Sequence, residues 1–353
     1  MRKIIVSKKS IWECMINKKH VKPYILKNKN NIEVTITNYG GKVVSLIVPD
    51  KDGKFKDIVL GYDNIKETVE GNQYFGALIG RYGNRIARGK FTIDGNEFTL
   101  KTNNDYNALH GGEVGYNDVV FDAVQEGNKL ILKHLDPDMH EGYPGNLDVT
   151  IAYELTDDNE LKITYDATTD KPTIVNLTHH SFFNLHGAGN GTILNHQLVI
   201  NADHYTPIDI TMIPTGEIAK VKGTPFDFTI PTEIGKNIDA DDQQIKNGFG
   251  FDHNWVLNNQ DGDMALAARV VEPKSGRVME VYTTEPGLQF YAGNFLDGSD
   301  VGKGGKKYEY RTAFCLETQH YPDSPNQKNF PSTVLRPGEK YHTETIYKFG
   351  VEK

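Results

Sequence analysis

In the stretch LDVTIAYEL at 147–155 every second residue is apolar, with Leu147, Val149, Ile151, Tyr153 and Leu155 alternating with Asp148, Thr150, Ala152 and Glu154. LKITYDA at 161–167 repeats the pattern, with Leu161, Ile163 and Tyr165 set against Lys162, Thr164 and Asp166. A period of two puts one face of each segment in a core and leaves the other wet, the mark of antiparallel strands. The TDDNE turn between them predicts a hairpin. Similar runs predict strands at 32–37, 43–48, 91–100, 130–135, 172–177, 196–200, 278–284, 312–318 and 341–349. Turn dipeptides at Asp52-Gly53, Asp94-Gly95 and Gly127-Asn128 punctuate this series. The only helix signal is a short amphipathic turn from Asn64 to Glu70, and residues 1–30 offer no more than a first edge strand. Many strands, few helices and no Gly/Ser linker or repeat predict an all-β chain. Its expected form is one domain over residues 1–353, built as a large antiparallel β-sandwich.

Charge and cysteine use narrow the function classes. The net charge is −8, and lysines and arginines are scattered apart from Lys8, Lys9, Lys18 and Lys19, so a nucleic-acid partner is not expected. Cys14 and Cys315 are the only two cysteines, which suggests a reducing compartment and not a disulfide framework. The start, MRKIIVSKKS, lacks the apolar core of a secretory signal, and the chain has no apolar run long enough to span a membrane. The expectation is a cytoplasmic protein without membrane partners.

Five polar clusters stand out against the strand pattern. GRYGNRI at 80–86 sets Arg81, Asn84 and Arg85 in a glycine-rich turn, and arginine's rigid fork of donors suits hydroxyl pairs or carboxylates. NALHGG places His110 before two glycines, which allow close approach of backbone or ligand. In NLTHHSFFNL the adjacent His179 and His180 must face opposite ways on a strand, so only one can reach a given site; Phe182 and Phe183 offer an apolar wall. NGFGFDHNWVL places Asp252, His253 and Asn254 beside Trp255, a mix suited to reading hydroxyls. CLETQHYPDS sets Glu317 at the end of an apolar strand, where partial desolvation lifts a carboxyl toward the range of a useful base. Among the histidines there is no HExxH or close ligand pair, so no metal is expected. GAGNG at 187–191 lacks a P-loop lysine, and no G-x-S-x-G elbow is present.

Taken together these clusters resemble the aldose 1-epimerase (galactose mutarotase) family. The resemblance runs from about Ile32 onward through GALIGRYGNRIARGKF, LHGG, EGYPG, NLTHHSFFNL, YTPIDITMIPTGE, TPFD, GFDHNWVL, TTEPGLQFYAGNF and LETQHYPDSPNQ, in order and at similar spacing. It implies the galactose mutarotase-like supersandwich, a shallow cleft for a free aldose such as glucose or galactose, and no cofactor. It implies Glu317 as general base, His180 as general acid and His110 as a second catalytic histidine near the ring oxygen. Asn84, Arg85, His110, Ser181, Asp252 and Gln289 are implied as substrate-binding positions, with Arg81 less defined. The chain departs from the family pattern at Phe182, where tyrosine is frequent, and at His179, where asparagine is frequent. The protein is expected to act as a monomer or homodimer.

The implied chemistry is ring opening and closing, with Glu317 taking the anomeric proton while His180 protonates the ring oxygen. Ordinary pKa values place the acid limb of activity on Glu317 and the alkaline limb on His180, and a nearby carboxylate is expected to raise the histidine. Two other readings stay open on the residues. A glycoside hydrolase could use Asp252 and Glu317 as its two carboxylates, leaving the histidines without a task. A non-catalytic sugar-binding module would need neither acid nor base.

Overall fold

The computed structural model describes residues 4–6, 10–72 and 74–352. It is dominated by a nine-stranded antiparallel sheet, in the order Asp122–Glu126, Lys129–Asp136, Leu147–Leu155, Glu160–Thr169, Tyr341–Val351, Arg277–Thr283, Ala265–Val271, Gln197–Ile200 and Thr232–Glu233. The alternation read from 147–155 is the alternation of burial: its five apolar residues are buried, and Asp148 is exposed. Antiparallel pairing sets Ile151 opposite Tyr165 and Tyr153 opposite Ile163, so both strands send their apolar side chains to one face.

That face packs on two smaller antiparallel sheets. One has four strands, Pro23–Lys27, Glu33–Thr37, Val43–Pro49 and Phe55–Asp57. The other has five, Ala219–Lys220, His204–Thr206, Asp252–Val256, Gly287–Tyr291 and Cys315–Gln319. The largest apolar core joins Val149 and Ile151 of the large sheet to Val34 and Leu46 of the four-stranded sheet and to Trp255, Phe290 and Leu316 of the five-stranded one. This is the expected all-β sandwich. Each fully buried Leu, Ile or Phe there contributes about 1.5–3 kcal/mol.

Local chemistry explains where elements start and stop. The expected 91–100 segment is a hairpin of Lys90–Ile93 with Asn96–Thr99, and both turn residues, Asp94 (φ 51°) and Gly95 (φ 81°), have the positive φ a tight two-residue turn needs. The helix Ile65–Glu70 is capped by Asn64, whose side chain accepts from the Glu67 N–H. Several expectations need correction. The 172–177 strand is only Thr173–Ile174, paired with Val334–Leu335, because the chain leaves that ladder to cross toward Tyr82. The 312–318 strand begins at Cys315. A second helix, Gln243–Gly248, is capped by Asp242. Within 1–30, residues 1–3 and 7–9 lie outside the described residues; the rest forms a small sheet of Ile4–Val6, Cys14–Ile16 and Lys19–Val21, followed by Pro23–Lys27. Cys14 and Cys315 are free and buried. Among the described residues no helix is long and apolar enough to cross a membrane.

Arg81 has a structural task. Its Nε donates to Asp136 Oδ2 at 2.8 Å, and its Nη1 donates to the carbonyls of Pro144 and Gly145, each at 2.9 Å. The EGYPG segment is therefore held by the GRYGNRI loop. Both charged side chains are almost wholly buried. Arg81→Ala leaves Asp136 without its arginine and is expected to cost about 3–5 kcal/mol, read by urea unfolding. A cost below about 1 kcal/mol, the range of exposed pairs, would contradict this role.

Candidate active site

Three neighbouring strands of the five-stranded sheet, DHNWV, GLQFY and CLETQ, alternate in the same register. Asn254 sits opposite Gln289, Gln289 opposite Glu317, and Asp252 opposite Tyr291. One face therefore carries Asp252, Gln289, Tyr291 and Glu317, while Trp255, Leu288, Phe290 and Leu316 go to the core on the other. Trp255 is accordingly a core residue, its Nε1 donating to the Phe226 carbonyl at 3.1 Å, and the expectation that it helps to read hydroxyls is corrected. His253 packs against Tyr205 and Phe226 on that same core side.

The polar face is covered by the other motifs. GRYGNRI and NALHGG meet as a two-residue ladder, Arg85 opposite Leu109 and Ile86 opposite Ala108. Asn84 (φ 61°) and His110 (φ 51°) both take left-handed backbone at this junction. A Cβ on Gly111 would lie 1.9 Å from the Gly80 carbonyl oxygen, so only glycine lets the two loops close on each other. His110 N–H donates to the Asn84 carbonyl at 3.0 Å, and the Asn84 N–H donates back to His110 Nδ1 at 3.1 Å. That second bond fixes the tautomer: Nδ1 is the acceptor, so the neutral ring carries its proton on Nε2. Burial, helped by His180 and Arg85, holds His110 well below the ordinary histidine pKa and keeps it neutral.

His180 ends the short strand Thr178–His180, which pairs with Ala77–Ile79. The adjacent histidines diverge as expected. His179 is buried against the core rings of Tyr153 and Tyr347, so its departure from the family's asparagine lies away from the cavity. The His180 ring is stacked on Phe182, with centroids 4.9 Å apart. Phe183 belongs to the core against Phe314 and Tyr347, so only one of the two phenylalanines forms the apolar wall.

These elements enclose a cavity of about 310 Å³ whose walls include Asn84, Arg85, His110, His180, Asp252 and Glu317. His180 Nε2 lies 3.4 Å from Glu317 Oε1, and both side chains are almost fully buried. Arg85 Nε donates to Asn104 Oδ1 at 2.9 Å, which fixes the guanidinium at the wall. Gln289 stands one step back, its Nε2 donating to Asp252 Oδ1 at 2.7 Å. Ser181 is buried and is not a wall residue, since alternation turns it away from His180 and Phe182. Leu109, Phe182, Tyr74, Asn72, Asn104, Tyr291 and Phe295 complete the lining, and the last five of these were not singled out by sequence. Tyr291 was findable as the second residue after Gln289 on one strand face. Tyr74, set against the rings of His110 and His180 at 4.9 and 5.8 Å, follows no pattern in its own segment.

The electrostatics reverse one expectation. Burial raises Glu317 well above the ordinary carboxyl pKa, the Asp252 carboxylate adds to this, and Arg85 opposes it. Burial also raises Asp252, against the pull of Arg85 and Gln289. Burial takes His180 down to about 3, so the carboxylate does not lift it as expected. Burial therefore favours protonated Glu317 beside neutral His180. Ionised Glu317 beside imidazolium is the same pair with its single proton moved across the 3.4 Å contact.

His110, His180 and Glu317 also have the spacing of a three-ligand metal site, with ligand atoms all within 4.8 Å of one another. The His110 tautomer argues against that use. Its Nδ1 lone pair is taken by the Asn84 N–H, and its other nitrogen carries the proton. The set fits proton transfer and hydrogen-bond donation to oxygen.

A family model described as aldose 1-epimerase matches residues 22–348. The chain is 45% identical over 322 residues to the galactose mutarotase of Rattus norvegicus, covering 91% of this chain and 92% of that one. It is 39% identical over 330 residues to the aldose 1-epimerase of Escherichia coli K12, covering 93% and 94%. Among solved structures, the aldose epimerase homologue from C. elegans superposes with a TM-score of 0.87 at 30% identity, covering 94% of this chain and all of that one. The galactose 1-epimerase from Lactobacillus acidophilus superposes with a TM-score of 0.84 at 26% identity, covering 100% and 99%.

Proposed function

The chain belongs to the aldose 1-epimerase family, and from that premise we propose how its own residues carry the family's reaction. It is an isomerase that interconverts the α and β anomers of free aldoses. The observation that carries the assignment of roles is the Glu317–His180 contact on the wall of a sugar-sized cavity.

Ionised Glu317 takes the proton from the anomeric hydroxyl while protonated His180 gives one to the ring oxygen. The bond between the anomeric carbon and the ring oxygen breaks, and the open aldehyde forms. At that point Glu317 is protonated and His180 neutral, the state that burial favours. Rotation about the bond between the first two carbons presents the other face of the aldehyde. The reverse transfers then close the ring as the other anomer and restore the starting protonation. The pair holds one proton throughout, so no net proton leaves the site. Neutral His110, with Nε2–H as donor, supports the ring oxygen as negative charge develops there. Phe182 gives the His180 ring an apolar backing in place of a tyrosine hydroxyl.

Arg85 and Asp252 bind hydroxyls in this account and transfer no proton. Arginine stays charged, and Asp252 is engaged by Gln289. Arg85→Ala and Asp252→Ala are expected to raise KM with kcat largely retained. A kcat collapse at unchanged KM in either variant, measured by NMR exchange between the two anomeric protons, would overturn the assignment. Ser181 serves as a support for the His180 segment and makes no direct contact with the sugar, so Ser181→Ala is expected to leave KM near wild type.

Glucose and galactose are the proposed substrates, which places the protein in hexose and galactose metabolism. Residues 1–353 act as one domain, as monomer or homodimer, without cofactor, nucleic acid or membrane. Two free, buried cysteines agree with a cytoplasmic setting.

A further inference from the structure

A second cavity, of about 460 Å³, lies at the far ends of the segments that carry the catalytic groups. Val175 precedes Thr178–His180, Glu285 precedes Gly287–Tyr291, and His320 directly follows Cys315–Gln319; all three line this cavity. His320 belongs to the CLETQHYPDS cluster, and the proposed reaction gives it no task.

The cavity is organised around one Glu–His pair, its carboxylate buried and its imidazole partly exposed. Glu285 is 3% exposed, and its Oε2 lies 2.6 Å from His320 Nδ1. The Tyr341 hydroxyl donates to the other Glu285 oxygen at 3.4 Å and accepts the Leu177 N–H at 3.2 Å. The His320 backbone is tied to Asn176, whose Oδ1 accepts its N–H at 3.0 Å. With Nδ1 held by the carboxylate, His320 has only Nε2 to offer a ligand. Glu285 holds a His320 proton at Nδ1, so Nε2 accepts in the neutral ring and donates in the protonated one. Burial pulls the pKa down, but Glu285 outweighs it and the net shift is upward.

Hydroxyl groups share the cavity wall with His320. Thr333 is about nine-tenths buried, and its Oγ1 makes no hydrogen bond of good geometry, although it is close enough to the Tyr82 hydroxyl to influence it. Thr284 and Thr343 are hydrogen-bonded to each other at 3.2 Å on the same wall. Val175, Val334 and Leu335 supply an apolar side. The lysine on this wall, Lys340, is paired with Asp166 at 2.7 Å, and His342 bonds the same carboxylate oxygen at 2.8 Å. The wall therefore offers no unpaired lysine for an anionic ligand, and it offers mixed donors, acceptors and apolar surface for a neutral one.

We propose that this cavity is a second binding site, for a neutral saccharide, built on the Glu285–His320 pair and separate from the catalytic cavity. The proposal does not depend on the roles given to Glu317 and His180.

Methyl NMR of the full chain titrated with galactose and with glucose tests it. The expected result is saturable shifts at the methyls of Val175, Val334 and Leu335, distinct from those at Leu109 on the catalytic wall. Thr333→Val, nearly isosteric, is expected to weaken the second-site titration about tenfold, the equivalent of about 1.4 kcal/mol, with kcat and KM unchanged. His320→Gln keeps a donor beside Glu285 but loses the ring Nε2, and is expected to weaken the same titration. Arg85→Ala is expected to weaken only the shifts at Leu109. Shifts confined to Leu109, or a second titration indifferent to both Thr333→Val and His320→Gln, would overturn the proposal.

Discussion

Glu317→Gln is expected to lower kcat by about 10²–10⁴-fold, the usual worth of one positioned proton-transfer group, with KM close to wild type. That range corresponds to about 2.7–5.5 kcal/mol of transition-state stabilisation. The amide keeps the size and the hydrogen-bonding reach of the carboxyl beside His180, so substrate still fits. What it loses is the oxygen that takes the anomeric proton. The same change has a stability signature of opposite sign. Burial raises the folded pKa of Glu317 above its unfolded value, so the folded chain binds this proton more tightly. Stability on that account is fully present below the unfolded pKa and is lost as pH rises through the folded one. Glutamine has no proton to lose, so Glu317→Gln is expected to be at least as resistant to urea as wild type at neutral pH. Near wild-type kcat, or a marked loss of stability at pH 7, would contradict the role and the environment assigned to Glu317.

His180→Asn is expected to lower kcat by a similar factor of about 10²–10⁴. Because both residues serve one step, the double variant is expected to be little worse than the poorer single variant. The pH dependence separates them. Activity requires the pair to hold one proton, so it falls where a second is added and where the last is lost. His180, held down to about 3, takes the second proton and sets the acid limb. Glu317, held above the carboxyl range, loses the last one and sets the alkaline limb. For the wild type this limb assignment is the reverse of the one that ordinary pKa values suggest. In the single variants one group acts alone. His180→Asn still needs Glu317 ionised, so it is expected to keep an acid limb and lose the alkaline one along with most of kcat. Glu317→Gln still needs His180 protonated and is expected to keep only an alkaline limb. An alkaline limb that persists in His180→Asn, or an acid limb that persists in Glu317→Gln, would contradict the roles of base and acid.

The pH reversal marks where sequence reasoning stopped. Glu317 and His180 were legible because each sits in a distinctive local string, and the divergence of His179 from His180 follows from strand alternation alone. Near-complete burial of the His180 ring and of the Glu317 carboxyl is a tertiary property, created by Tyr74, Phe182 and the His110 loop closing over the sheet. No local string carries it. Trp255 and Phe183 were misjudged for the opposite reason: they neighbour site residues in sequence, but the period of two sends them to the core. The long strands at 147–155 and 160–169 were readable because five and four apolar positions alternate without interruption. The three-residue strands Cys14–Ile16 and Lys19–Val21 are too short for alternation to register. The helix at Gln243–Gly248 carries Ile245 as its single apolar side chain, so it has no apolar period to read. The Asp94-Gly95 turn was readable because its backbone requirement falls on the two residues themselves.

Polarimetry of freshly dissolved α-glucose and α-galactose, with purified protein in EDTA, tests the central claim most directly. The account predicts that rotation reaches its normal equilibrium value faster in proportion to protein concentration, that EDTA changes nothing, and that Glu317→Gln returns the rate close to the spontaneous one. Rotation at the spontaneous rate with wild-type protein, or acceleration that disappears with the chelator, would contradict it.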